Sequence, residues 1–218
     1  MKRTVILTIL DGWGTAPIGT SNPLSQAQLP TINEIKKYFP FANLQASGIS
    51  VGLPWGEEGN SEVGHLTLGA GKVLYQHYPR ITLSIRNKTF FQNKVLEDAF
   101  NHAKENDSAL NLIGLLTKGH VHSDYEQLIS LIDFACQKNT RKINLHLFTD
   151  GRDSLPQSGI SLIKKLLEDI KKYEGKVKIA SLAGRYYAMD RGKHWERTER
   201  TYQVLVNESA ELASENLE

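Results

Sequence analysis

The sequence predicts an α/β protein with a mainly parallel β-sheet in its second half. Short apolar runs alternate there with amphipathic stretches: the runs are residues 110–116, 143–148 and 177–182, and the stretches are residues 125–137, 157–173 and 194–206. In the middle stretch, apolar side chains recur at helical spacing, at Ile160, Ile163, Leu166, Leu167 and Ile170. Such alternation of strands and helices is typical of βαβ units, whose strands run parallel.

The amino-terminal third shows a different order of elements. Residues 3–10 form a β-branched apolar run without helical period, which predicts a buried strand. Residues 30–39 predict a short helix, because Ile32, Ile35 and Phe39 share one face and Pro40 closes it. A strand, a loop and a short helix therefore open the chain.

The pattern changes at residues 75–79, where we place a domain boundary. The expected domains are residues 1–75 and residues 76–218. Two further helices are expected at the start of the second domain, at residues 81–85 and 95–104.

Composition limits the function classes. The chain of 218 residues is 40% apolar and 23% charged, as in an ordinary soluble protein with room for one or two domains. A formal net charge of +2 gives no reason to expect a nucleic-acid or membrane partner. The single cysteine, Cys136, fits a reducing compartment and is expected to be a small core residue. We therefore expect a cytoplasmic protein.

A glycine-rich stretch at residues 57–72 presents Ser61 at the start of a segment that can form a helix. Glycine allows a sharp bend before it, at Gly59. A hydroxyl at a helix N-terminus lies where free N–H groups and the helix dipole favour an anion, so Ser61 could accept a phosphoryl group. The alternative is that Ser61 is only the N-cap, although a capping box would need Glu or Gln where Gly64 stands. Both interpretations stay open at this point.

Polar clusters follow the predicted strands. Asp11 comes directly after the run 3–10, and further clusters follow the later runs at residues 120–124, 150–154 and 184–191. Ligands of open α/β sheets bind beyond the carboxyl ends of the strands, where one pocket can collect the three later clusters. Arginine suits phosphate and carboxylate there because its planar fork makes two parallel charge-assisted bonds. The alternatives are a turn role for Asp11 and surface ion pairing for the arginines.

His120 and His122 could also form a metal pair, since side chains at i and i+2 lie on one side of an extended segment. No third ligand stands nearby in the sequence. We therefore interpret His120 as an exposed loop histidine.

Taken together, four motifs resemble the cofactor-independent phosphoglycerate mutases. They are Asp-Gly-Trp-Gly at 11–14, Gly-Asn-Ser-Glu-Val-Gly-His at 59–65, Asp-Gly-Arg-Asp at 150–153 and Gly-Arg-Tyr-Tyr-Ala-Met-Asp-Arg at 184–191. That family of alkaline-phosphatase-like metalloenzymes interconverts 3-phosphoglycerate and 2-phosphoglycerate in glycolysis, without 2,3-bisphosphoglycerate. The resemblance implies that residues 1–75 begin the alkaline-phosphatase-like domain. It also implies that residues 76–218 form an incomplete, substrate-binding α/β transferase-like domain.

The resemblance also implies roles for individual residues. Ser61 corresponds to the nucleophile that becomes phosphoserine, and Asp11 with Ser61 corresponds to ligands of one of two manganese ions. Asp153 could in addition move protons to and from the glycerate hydroxyl. The residues expected to hold phosphoglycerate are His122, Arg152, Asp153, Arg185 and Arg191. The family is usually monomeric, which we also expect here.

The chain departs from the family pattern in one loop and in length. Residues 117–120, Asp124 and Gln127 differ from the usual sequence around His122, and Lys72 replaces an arginine. Family members are longer, and the remaining metal ligands lie in the part not represented here. We therefore expect the chain alone to lack turnover, to bind manganese weakly and to have an unstable segment at residues 1–75. Two other functions stay open: a non-catalytic module for phosphorylated acids and a related metallophosphatase.

Overall fold

The computed structural model describes residues 3–206, and the chain divides between Tyr75 and Gln76 into two units. The first unit contains α1 (Pro23–Gln26), α2 (Pro30–Tyr38), a 3₁₀ turn (Gly48–Val51) and α3 (Ser61–Ala70). Helix α2 confirms the helix expected at residues 30–39. It begins at a proline, which has no N–H to leave unsatisfied in the first turn.

The buried strand expected at residues 3–10 is wrong for this structure. These residues form no strand, and Val5, Ile6 and Leu7 are 89%, 84% and 73% exposed. A strand needs a neighbour to satisfy its backbone groups, and the described residues of the first unit provide no strand. Residues 3–10 therefore have the composition of a buried strand but no strand to pair with among the described residues of this unit.

The second unit begins with α4 (His77–Arg86) and α5 (Lys94–Glu105), which confirm the two helices expected after the boundary. Strands and helices then alternate as the periodicity predicts. They are β1 (Leu110–Leu116), α6 (Tyr125–Gln137), β2 (Ile143–Thr149), α7 (Ser158–Ile170), β3 (Val177–Gly184), α8 (Arg185–Ala188) and α9 (Trp195–Val206). None of the helices within residues 3–206 is long and apolar enough to cross a membrane.

The three strands form a parallel sheet in the order β1-β2-β3, which confirms the predicted fold class. Ile143, Leu145 and Leu147 are almost fully buried, at 1%, 0% and 1% exposure, whereas Asn144 and His146 between them are not. The buried positions pack with Phe100, Phe134 and Leu166 of α5, α6 and α7 in one core. Cys136 is half-buried and packs against this core.

The strand register places the functional loops side by side. Leu116 at the end of β1 pairs with Thr149 of β2, and Thr149 pairs with Gly184 of β3. The segments that follow the three strands therefore leave the same edge of the sheet. This edge is where ligands bind in open parallel sheets.

Candidate functional site

In the first unit, Ser61 is the first residue of α3, and Asn60 is the N-cap. The Asn60 side chain accepts a hydrogen bond from the Val63 N–H at 3.1 Å. The interpretation of Ser61 as the cap is therefore wrong, because the neighbouring asparagine does this work. A Cβ on Gly59 would lie 1.8 Å from the Ala46 carbonyl oxygen, so only glycine fits where the loop enters the helix.

The Ser61 hydroxyl is exposed and donates a hydrogen bond to Asp11 Oδ2 at 2.6 Å. Asp11 lies in the turn after residues 3–10, where the Trp13 N–H bonds the Leu10 carbonyl at 3.1 Å. Asp11 is thus a turn residue and a partner of Ser61 at once. The fold of the first unit brings together two residues that are 50 positions apart in sequence.

A divalent metal needs more ligands than this pair supplies. No group of three or more His, Cys, Asp and Glu residues that could hold an ion occurs within residues 3–206. Asp11 and Ser61 offer two adjacent oxygens, which suit a hard or borderline cation but do not fix a coordination geometry. The described residues therefore supply two of the ligands that a manganese ion needs and do not complete its site.

In the second unit, Asp150 is the central carboxylate of the strand edge, and its side chain is fully buried, at 0% exposure. Oδ1 accepts from the N–H groups of Arg152 and Asp153 and from Arg185, and Oδ2 accepts from the Thr117 hydroxyl and from the N–H and hydroxyl of Ser154. Burial by itself raises the pKa of Asp150, but these hydrogen bonds outweigh burial and hold the pKa far below its usual range.

Asp153, His122 and Arg185 form one contact group beside Asp150. His122 Nδ1 donates to Asp153 Oδ2 at 2.7 Å, and Arg185 Nη1 lies 2.8 Å from the same oxygen. Burial works to raise the pKa of Asp153, but the bonds from His122 and Arg185 lower it overall. Since His122 Nδ1 carries the proton, its 3.5 Å approach to Arg185 Nη2 is a close contact and not a second hydrogen bond.

Arg152 and Arg191 line a cleft of about 660 Å³ at the ends of β2 and β3, together with Asp150 and Arg185. Both side chains are exposed, and neither guanidinium has a hydrogen-bond or ion-pair partner among the described residues. Of the seven residues predicted for the site, Asp11 and Ser61 meet in the first unit. The other five, His122, Arg152, Asp153, Arg185 and Arg191, lie on the strand-end segments of the second.

Arg197 also lines the cleft, and sequence reasoning missed it. Its Nη1 bonds Asp190 Oδ1 at 2.9 Å, and its guanidinium lies 4.0 Å from the Tyr186 ring centroid. Asp190 also accepts the His194 N–H at 2.9 Å, and this bond, with that of Arg197, lowers the Asp190 pKa. The sequence signal was an arginine in the first turn of an amphipathic helix that follows an aspartate-arginine pair.

His120 is exposed, as expected, but it is not free. Its ring stacks on Tyr78 with centroids 4.1 Å apart, and its Nδ1 lies 3.2 Å from Asp124 Oδ2. Gln127 Nε2 donates to the Tyr78 carbonyl at 3.2 Å and to Thr82 Oγ1 at 3.1 Å. His120 and His122 pair with different carboxylates, and neither belongs to a cluster of three potential ligands within residues 3–206. The metal-pair alternative therefore has no support here.

The second unit is thus a parallel α/β fold with a cleft beyond its strand ends, and the arginines of this cleft suit an anionic ligand. Residues 81–218 match the family described as BPG-independent PGAM N-terminus, that is, of bisphosphoglycerate-independent phosphoglycerate mutases. The chain belongs to this family, which confirms the resemblance drawn from the four motifs.

Among relatives, 2,3-bisphosphoglycerate-independent phosphoglycerate mutase of Flavobacterium psychrophilum is 46% identical over 207 residues, covering 95% of this chain and 41% of that protein. The enzyme of the same name from Clostridium perfringens SM101 is 46% identical over 217 residues, covering 100% of this chain and 42% of that protein. A crystal structure of Leishmania mexicana phosphoglycerate mutase at low cobalt concentration aligns at a TM-score of 0.64 and 31% identity, over 88% of this chain and 37% of that one. The chain therefore spans about two fifths of the length of these relatives.

Proposed function

We propose that this chain is the amino-terminal part of a phosphoglycerate mutase that interconverts 3-phosphoglycerate and 2-phosphoglycerate through a phosphoserine at Ser61. The observation that carries the proposal is the cleft in the second unit, where Arg152 and Arg191 have no hydrogen-bond or ion-pair partner among the residues that the structure describes. Family membership supports the choice of a phosphoglycerate over other phosphorylated acids.

The charges of the cleft fit a ligand with two anionic groups. Arg185 is engaged by Asp150 and Asp153, and Arg197 is engaged by Asp190. Arg152 and Arg191 are therefore the two cleft arginines with every N–H group left for the ligand within residues 3–206, one for a phosphate and one for a carboxylate, each by bidentate bonds. Phosphoglycerate carries these two groups on a three-carbon skeleton.

The proposed chemistry divides between the two units. Ser61 Oγ loses its proton and forms a bond to phosphorus while the substrate's own phosphate ester bond breaks, and the released glycerate hydroxyl takes up a proton, so that the proton count balances. Reoriented glycerate then attacks phosphoserine through its other hydroxyl, which restores Ser61. In the second unit, Asp153 exchanges a proton with the glycerate hydroxyls, and the hydrogen bond from His122 orients the Asp153 carboxylate.

Manganese is the proposed metal, with Asp11 and Ser61 supplying two ligands of one of two ions, and it would supply Lewis acidity at the serine. Residues 1–75 and 76–218 are the proposed phosphatase-like and transferase-like domains. We further propose a cytoplasmic monomer. The chain alone, with two metal ligands, would act as a module that binds phosphorylated acids without turnover.

A titration of the 218-residue chain with 3-phosphoglycerate, monitored by NMR chemical shifts, tests the proposal. Replacing Arg152 or Arg191 by alanine should raise the Kd roughly tenfold or more, because each loses charge-assisted bonds to the ligand. Arg141→Ala is the matched control, since this arginine is 73% exposed and pairs with Asp107 away from the cleft. No detectable binding by the wild type, or an equal loss in the control, would contradict the proposal.

A further inference from the structure

Asp150 receives more hydrogen bonds than a carboxylate usually accepts. Each of its two oxygens accepts three bonds, at 2.6 to 3.2 Å. A carboxylate has about four lone-pair positions, so every acceptor direction is in use and the group cannot rotate. The Asp150 carboxylate is therefore held in one orientation at the edge of the sheet where the strands end.

The donors come from the ends of all three strands. Thr117 follows β1, the N–H groups of residues 152–154 follow β2, and Arg185 follows β3. Thr117 is buried at 0% exposure and its hydroxyl also accepts the Gly119 N–H at 2.9 Å, in the segment that leads to His122. One side chain therefore ties together the three segments that carry the proposed substrate-binding residues.

Arg185 depends on Asp150 in a way that the other cleft arginines do not. Its Nη1 lies 2.9 Å from Asp150 Oδ1 and 2.8 Å from Asp153 Oδ2, and its side chain is only 14% exposed. Two carboxylates on one nitrogen fix the plane of the guanidinium, because the group is rigid and planar. Arg152 and Arg191 lack such partners within residues 3–206.

We propose that Asp150 is a positioning residue that sets the orientation of the Arg185 guanidinium toward the cleft. The proposal rests on the proposed function, because it assigns Arg185 a ligand to bind. With Nη1 held by carboxylates, Arg185 presents its remaining N–H groups to the ligand in a set direction. The Asp150 side chain is fully buried, so in this proposal it acts through Arg185 and not by a direct bond to the ligand.

A double-mutant cycle distinguishes this positioning role from a merely structural one, in which Asp150 only holds the turn after β2. The variants are Asp150→Asn, Arg185→Ala and the pair, each titrated with 3-phosphoglycerate in the full chain. If Asp150 acts through Arg185, Asp150→Asn raises the Kd roughly tenfold in the wild type and causes no further change when Arg185 is alanine. Effects that multiply in the double variant would overturn the proposal.

The control is Asp169→Asn, whose carboxylate accepts a hydrogen bond from Tyr125 at 2.7 Å and lies 3.5 Å from Lys165, outside the set of residues that line the cleft. Its Kd should stay within about twofold of wild type, because it changes a buried-tyrosine contact and not the strand edge. A loss equal to that of Asp150→Asn would show that any weakened carboxylate contact impairs binding, which would overturn the proposal.

A second measurement needs no ligand. In NMR, the Nη protons of Arg185 should exchange slowly with water and show hindered rotation in the wild type, and both rates should rise in Asp150→Asn. If Asp150→Asn does not fold, Thr117→Val takes its place, because it removes one hydrogen bond to Asp150 and leaves the carboxylate charged. Both rates should then rise by less than a loss of the carboxylate would raise them. Unchanged Arg185 signals in the folded variant would overturn the positioning role. Hindered Arg185 signals in a wild type that does not bind 3-phosphoglycerate would instead contradict the proposed function.

Discussion

Replacing Gly119 by alanine should displace the loop that carries His122. A Cβ on Gly119 would lie 2.6 Å from both Cβ and the carbonyl oxygen of Asp153, whereas ordinary contact begins at 3.4 Å. The loop must therefore retreat by about 0.8 Å, because packed atoms do not overlap. Asp153 is poorly placed to give way, since its N–H bonds the buried Asp150 carboxylate at 3.2 Å.

A retreat of this size breaks the contact between His122 and Asp153. Their hydrogen bond is 2.7 Å long and would stretch to about 3.5 Å, beyond the useful range. We expect the Kd for 3-phosphoglycerate to rise roughly tenfold from the lost hydrogen bond and misplaced ring. Overpacking costs about 1–3 kcal/mol, and the upper end applies because the atoms that the new Cβ meets, Asp153 Cβ and its carbonyl oxygen, cannot move aside easily.

The assay is an NMR titration of the full chain with 3-phosphoglycerate, combined with urea denaturation. Gly114→Ala in β1 is the matched control, since an added Cβ meets nothing within 4 Å there. The control should bind like wild type and unfold at a similar or slightly higher urea concentration. Wild-type affinity in Gly119→Ala would refute the reasoning, as would an equal loss in Gly114→Ala.

Four further predictions follow from the same geometry. In the complete protein, Ser61→Ala should lower mutase activity by several orders of magnitude, and mass spectrometry after incubation with phosphoglycerate should find the phosphoryl group on Ser61 and nowhere else. Arg191→Lys keeps the charge but loses the fork, so phosphoglycerate affinity should fall, while Arg141→Lys should not change it. The pKa values of Asp150 and Asp153 are lower in the folded chain than in the unfolded chain. Both carboxylates therefore stabilise the fold fully above about pH 5. This stability is lost on acidification, as the pH falls through the unfolded-state pKa and then the folded-state pKa. Asp150→Asn should accordingly flatten the pH dependence of the unfolding free energy between about pH 2 and 5, measured by urea titration. The chain alone should show no mutase turnover in a coupled assay and only weak manganese binding by electron paramagnetic resonance, and robust turnover would contradict this.

The second unit could be predicted well because its signals are local. The spacing of Ile160, Ile163 and Leu166 defines a helix face, and short apolar runs between such helices define strands. Strand ends follow directly from these elements, and the parallel register then brings the polar segments to one edge. Five of the seven predicted site residues lie there for this reason, including Arg152 and Arg191.

Other features depend on contacts that no local pattern encodes. The run 3–10 has the composition of a strand, but pairing depends on a neighbour that the run does not specify. Asn60 and Ser61 are both good N-caps, and only the entry of the chain past Gly59 decides between them. In the sequence, Asp150 is an ordinary Asp-Gly turn, and its connection to Thr117 and Arg185 appears only when the three strands align.

The residues around His122 that we expect to depart from the family pattern, among them His120, Asp124 and Gln127, contact one another or share a partner. Asp124 caps α6 by accepting the Gln127 N–H at 3.0 Å and also pairs with His120, whose ring stacks on Tyr78. Gln127 in turn donates to the Tyr78 carbonyl, so both residues connect α6 to the start of α4. Asp124 is a buried carboxylate, and removing His120 alone would cost it a partner. These residues therefore support one another beside the segment in which His122 contacts Asp153.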